Sequence, residues 1–166
     1  MRQEPGRPGP AGVSRDNGAV TIVHLVAGVL SITLVAAAAL WGAWCWYRVQ
    51  NNPWFWRLLR AGQAAVVVDV ALGGVLLIMG HREPSLHLIY GLLPLAVSFL
   101  GEQLRIASAQ MVLDARGHES AAEVGALPES EQRVVVLTIV QRELGVMVLA
   151  AAVMVALLAR AAATAG

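Results

Sequence analysis

The sequence predicts an all-α protein, a polytopic four-helix bundle integral to a membrane, and three observations point there. Of the 166 residues, 57% are hydrophobic and 14% charged, with a mean hydropathy of +0.64, more apolar than a soluble domain of this size. The apolar residues gather into four long runs separated by short polar stretches. Tryptophan and arginine concentrate where the first run gives way to the second, in WGAWCWYRVQNNPWFWR, the anchoring pattern of a membrane–water interface.

Taken in order, residues 1–18, MRQEPGRPGPAGVSRDNG, form a Pro/Gly-rich tail without apolar periodicity, predicted to be disordered. Spans are expected at 19–47, 58–79, 86–104 and 144–159, within a bundle covering 19–160, and residues 161–166 are a short tail. About 20 residues at a rise of about 1.5 Å cross a hydrocarbon core of about 30 Å. The first three runs meet that length, and the fourth does so if it extends upstream through RVVVLTIVQRE. VAAAALW offers small residues for leader cleavage, but apolar character through Trp46 exceeds the core of a signal peptide, so the first run is expected to remain a span. Residues 106–133, mixed in charge and containing DARGHESAAEVGALPESEQR, read as a polar loop with some helix.

Charge predicts orientation. Arg48, Arg57 and Arg60 flank the first connection and Arg105, Arg116 and Arg133 the third, while the middle turn carries Arg82 offset by Glu83. The positive-inside rule places the first and third connections in the cytoplasm and both termini outside a multi-pass cell-membrane protein. Arg2, Arg7 and Arg15 in the tail oppose this and leave the margin small. Trp41, Trp44, Trp46, Trp54 and Trp56 then form a belt at the cytoplasmic interface.

Several classes fall away. Net charge is +1 with no lysine, which gives nucleic acid nothing to bind, and the lone Cys45 makes neither an internal disulfide nor a cysteine-rich metal site. There is no phosphate-binding glycine loop, HExxH or CxxC. A transporter stays open as a class, although the sequence lacks the broken helices and internal repeat that would point to a midplane site.

What remains is a pair of histidines. In an up-down bundle the start of the first span and the start of the third lie in the same leaflet, so His24 and His87 share a depth, each about one turn inside its apolar run. Both sit on stripes of small residues. His24, Gly28, Ser31, Val35, Ala38 and Gly42 follow one face of the first helix, and His87, Gly91, Pro94, Ser98, Gly101 and Arg105 one face of the third. Such stripes mark helix–helix contact, so both imidazoles are expected to face the bundle interior. Gly28 and Gly91 lie four residues after the histidines on the same faces and leave space beside each ring. Two imidazoles with room between helices suit the axial positions of a b-type haem, with His24 and His87 as the metal ligands. Arg82, His81 and Arg15 on that side are candidates to pair with propionates, and Tyr90 is a further donor or an interfacial anchor. The alternative is a cofactor-free accessory or scaffolding subunit whose small stripes pack against partner helices. The residues leave open whether the chain is an enzyme.

QAAVVVDVALGGVLLIMGHREPSLH, with Gln63, the Leu72-Gly73-Gly74 triplet and a histidine opening the next helix, resembles one four-helix half of the heme A synthase family. The resemblance covers about residues 20–105 and includes the separation of His24 and His87 by 63 positions. It implies a four-helix bundle in which His24 and His87 are the two axial ligands of one haem, toward the outer leaflet, in electron transfer or haem handling. Where the family has a glutamate and an arginine around its first histidine, this chain has Thr21 and Leu25, and it lacks the family's outer cysteine pair. Those departures bear on haem O oxidation and leave haem binding in place. The GHR…LHxxYG turn is also similar to that of short actinobacterial membrane proteins. The partners expected are the lipid bilayer and either a second copy of the chain or a respiratory-complex subunit.

Two polar features complete the reading. Asp69, in VVVDVALGG, falls mid-span, and a hydrogen bond to a neighbouring helix is expected over a proton relay. Gln63, Glu102, Arg105, Gln141, Arg142 and Glu143 fall near the cytoplasmic helix ends, where a self-neutralising cluster would join the third and fourth spans.

Overall fold

The computed structural model describes residues 13–81, 84–118 and 120–165. They form α1 (Val13–Tyr47), α2 (Pro53–Ile78), α3 (Ser85–Asp114), the single turn α4 (Ala121–Gly125) and α5 (Glu129–Ala163). Gly18–Tyr47, α2, α3 and α5 are each long and apolar enough to cross a membrane, so the chain is a membrane protein built as an all-α four-helix bundle.

The helices outrun the apolar segments. α3 continues to Asp114 and α5 begins at Glu129, which shortens the expected loop 106–133 to a connection holding α4. Helix formation depends on backbone hydrogen bonding and end capping, whereas an apolar run measures only the part that faces lipid. The caps are local. Asn52 Oδ1 accepts from Trp54 N at 2.9 Å, and Pro53 occupies the first helical position of α2, where its missing N–H costs nothing. At the other end Gly80 adopts φ +90, with Gly80 N donating to Leu77 O and His81 N to Leu76 O. This is the Schellman termination that glycine makes without steric cost.

α1 packs along both α2 and α5, and α3 packs along α5, whereas α2 and α3 barely touch. The bundle is therefore a ring opened along its α2–α3 seam. The stripes predicted to be interior are so: Ser31, Val35 and Ala38 are fully buried, as are Gly42, Pro94 and Gly101. The core is a column of Val35, Ala38, Phe55, Leu59, Val66, Leu144, Met147 and Met154. Large apolar side chains facing outward, such as Leu40, Ile78 and Phe99, are the lipid-facing counterpart.

A polar cluster fastens the open seam at the end that carries the α1–α2 connection. Arg60 reaches from α2 to hold both oxygens of Glu102 on α3 at 2.6 and 3.0 Å, and Gln63 donates to Glu102 at 3.3 Å. Arg105 approaches Glu102 at 3.3 Å and Glu143 of α5 at 3.7 Å. Gln141 and Arg142 are exposed and stay outside it. The cluster joins three helices, with Arg60 as the member that bridges the seam. Glu102→Gln is expected to destabilise the fold by about 1–2 kcal/mol in detergent unfolding, because a neutral amide leaves two guanidiniums less compensated. Partial exposure, 21% for Glu102, keeps the effect below that of a fully buried pair.

Candidate functional site

The start of α3 and the ends of α2 and α5 lie at one end of the bundle, and α1 passes there in its first turns. His24 of α1 and His87 of α3 meet at that end, their ring centroids 6.1 Å apart and their planes at 88°. Sequence stripes alone place both rings inward; the fold brings them within reach of one another.

Each ring has an oxygen 2.9 Å from its Nδ1. His87 Nδ1 lies 2.9 Å from the carbonyl oxygen of Ala161 in the last turn of α5. A carbonyl only accepts, so the proton resides on Nδ1 and Nε2 presents a lone pair. His24 Nδ1 lies 2.9 Å from Asp69 Oδ1 of α2. That contact is short but bent away from hydrogen-bond linearity, and neither atom has another hydrogen-bond partner. With Asp69 as the acceptor, Nδ1 holds the proton and Nε2 of His24 is left as the free lone pair. Among the described residues neither Nε2 makes a hydrogen bond.

Both rings line a cavity of about 580 Å³ whose wall is mainly apolar: Leu25, Ile32, Val70, Leu77, Leu92 and Leu158, with Asp69 and the backbone of α5 at Ala161 and Ala162. Four glycines shape it. Gly74 and Gly91 face open space, and a Cβ on Gly73 would come to 3.4 Å from His24 Cε1. Gly28 differs from its expected role, since the room beside it is taken by the Asp69 carboxylate, 3.6 Å from where a Cβ would stand. The volume falls within the range of about 300–1,000 Å³ typical of small-molecule sites.

The remaining candidates separate. Tyr90 lies beneath the guanidinium of Arg160, 5.6 Å from its ring centroid, a cation–π pair at the same end of the bundle. Arg82 lies outside the described residues, as does the side chain of Arg15. At the opposite end, Arg48, Arg57 and Arg105 stack over Trp44, Trp54 and Trp56, so the tryptophan belt also holds cations.

Sequence reading missed the link between Asp69 and His24, the Ala161 carbonyl, and Arg160. Asp69 carried a usable signal. It lies nine residues before the end of α2 and His24 eleven residues after the start of α1, which in antiparallel helices is a similar depth. Measured from apolar-run boundaries, His24 is shallower and the match disappears. The Ala161 carbonyl has no side-chain signature, and Arg160 falls just beyond the expected end of the fourth span.

Chemically, the arrangement offers two imidazole lone pairs at the wall of an apolar cavity. That donor set suits an electron-pair acceptor. It suits poorly a ligand that brings lone pairs of its own, such as a quinone carbonyl. No family model, no curated protein and no solved structure matches the chain.

Proposed function

We propose that the chain is a membrane-bound b-type haem protein in electron transfer or haem handling, with His24 and His87 as axial ligands. The observation that carries this reading is the pair of Nε2 lone pairs, each set by an acceptor at Nδ1, on rings 6.1 Å apart. Metal-bound histidines almost always donate their other N–H to a carboxylate or carbonyl in this way. The spacing fits as well. A metal–imidazole bond of about 2.0 Å and a ring radius of about 1.1 Å give a centroid separation near 6.2 Å for two rings sharing one metal.

A macrocycle suits the donor set better than a bare ion. Among the described residues no group of three His, Cys, Asp or Glu side chains is placed to hold a metal, whereas haem supplies four nitrogens and needs two more. The chemistry haem supplies when bound is reversible one-electron exchange at iron. The chain's own residues do the rest: His24 and His87 bind, Asp69 and the Ala161 carbonyl orient them, and the leucine and valine wall excludes water. Arg160, stacked on Tyr90 at the same end, supplies a cation for a carboxylate substituent. The resemblance to one half of heme A synthase and the arginine distribution support the same reading, with the site toward the outer leaflet of the cell membrane.

The test is an absorption spectrum of the detergent-purified protein after haemin is supplied. A Soret band and the sharp reduced bands of bis-histidine ligation are expected, and the six-coordinate spectrum is lost in His24→Gly and in His87→Gly. A protein that stays colourless sinks the proposal in favour of a cofactor-free accessory subunit.

A further inference from the structure

We infer that the two histidines are unequal ligands: His24 is the permanent one, and His87 can give up its place to a small uncharged ligand entering the cavity. The inference rests on the haem reading above and adds a ligand-binding property to it.

The asymmetry begins at Nδ1. His24 faces a carboxylate, which raises the basicity of the opposite nitrogen, while His87 faces a neutral carbonyl. The consequences of release differ more. His24 stands 2.9 Å from Asp69 in an apolar span, so moving His24 away costs that carboxylate its nearest polar contact. Ala161 O also receives Thr164 N at 3.1 Å and Thr164 Oγ1 at 3.0 Å. When His87 departs, that carbonyl keeps two donors, so the acceptor left behind stays satisfied.

Position and space agree. His24 lies three turns inside α1, a helix packed on two neighbours. His87 is the third residue of α3, whose N-cap Pro84 makes no side-chain capping bond, and α3 barely touches α2. Helix ends fray, and α3 opens at the seam. There is room beside His87: Gly91, one turn below it, has no atom within 4 Å of a Cβ, whereas Gly28 backs onto Asp69 and Gly73 abuts His24. With haem bound, a rotation of His87 toward Gly91 would withdraw its Nε2 lone pair from the iron, and a lone-pair ligand such as carbon monoxide would take its place with no change of oxidation state.

Carbon monoxide and free imidazole are suitable probes on the full-length, haem-loaded protein. Carbon monoxide is expected to bind the reduced wild type and shift its Soret band. His87→Gly is expected to retain haem as a five-coordinate, high-spin species that free imidazole returns to six-coordinate. His24→Gly is expected to lose at least ten times more haem than His87→Gly at equal helicity by circular dichroism. Asp69→Asn, which keeps shape and an acceptor oxygen, is expected to raise the reduction potential with the six-coordinate bands intact. Equal haem loss from both glycine variants, better retention by His24→Gly, or a reduced wild type inert to carbon monoxide would overturn the inference while leaving haem binding standing. A wild type that takes up no haem removes both.

Discussion

Gly91→Phe is expected to abolish haem uptake while leaving the bundle folded. Gly91 sits on the cavity wall, and no atom lies within 4 Å of where its Cβ would be. A methyl group there is tolerated, so Gly91→Ala is expected to bind haem like the parent. A benzyl group there takes up part of the cavity that both rings line. Because interiors cannot compress to admit both ring and ligand, affinity is expected to fall by more than roughly 100-fold, a loss of about 2.7 kcal/mol. Haemin titration followed at the Soret band measures it, with circular dichroism as the control for folding. Retained affinity in the phenylalanine variant would place the ligand elsewhere.

Gly62→Leu is expected to destabilise the α1–α2 contact strongly. A Cβ on Gly62 would come to 2.8 Å from Val35 Cγ2 and 3.2 Å from Val35 N. A side chain can rotate away, but the backbone nitrogen of a packed helix cannot, so the helices must separate. Overpacking a close contact costs about 1–3 kcal/mol, and a leucine here is expected at the upper end because separation also loosens Val66 and Leu59 below it. Gly74→Ala, with nothing within 4 Å of its Cβ, is the matched control and is expected to be neutral. Unfolding by a denaturing detergent, followed by circular dichroism, resolves the two. A Gly62→Leu protein as stable as the control would show that α1 and α2 are not held by close backbone approach.

How much of this was legible in the linear chain differs between the architecture and the site. Four apolar runs dictate four spans because lipid thickness fixes a length, and a residue count measures length directly. The small-residue stripes through Ser31 and Gly101 dictate which faces are buried, because steps of three and four keep positions on one side of a helix. Helix ends were less legible: α3 and α5 run on through polar residues such as Gln110 and Gln132 that hydropathy assigns to a loop. The polar cluster was readable in outline, but its seam-bridging member Arg60 was not, since which helices fail to touch is decided by packing order.

The amino-acid order by itself determined the membrane class, the number of spans, the inward faces and the shared level of His24 and His87, all properties of one helix at a time. Tertiary structure alone decided that Asp69 stands behind His24, that a backbone carbonyl of α5 stands behind His87, and that both rings line one apolar cavity. The physical reason is that each of these joins groups on different helices. Their meeting depends on the angle, register and neighbour order of the bundle, which arise from the summed packing of every contact face and are written in no single segment.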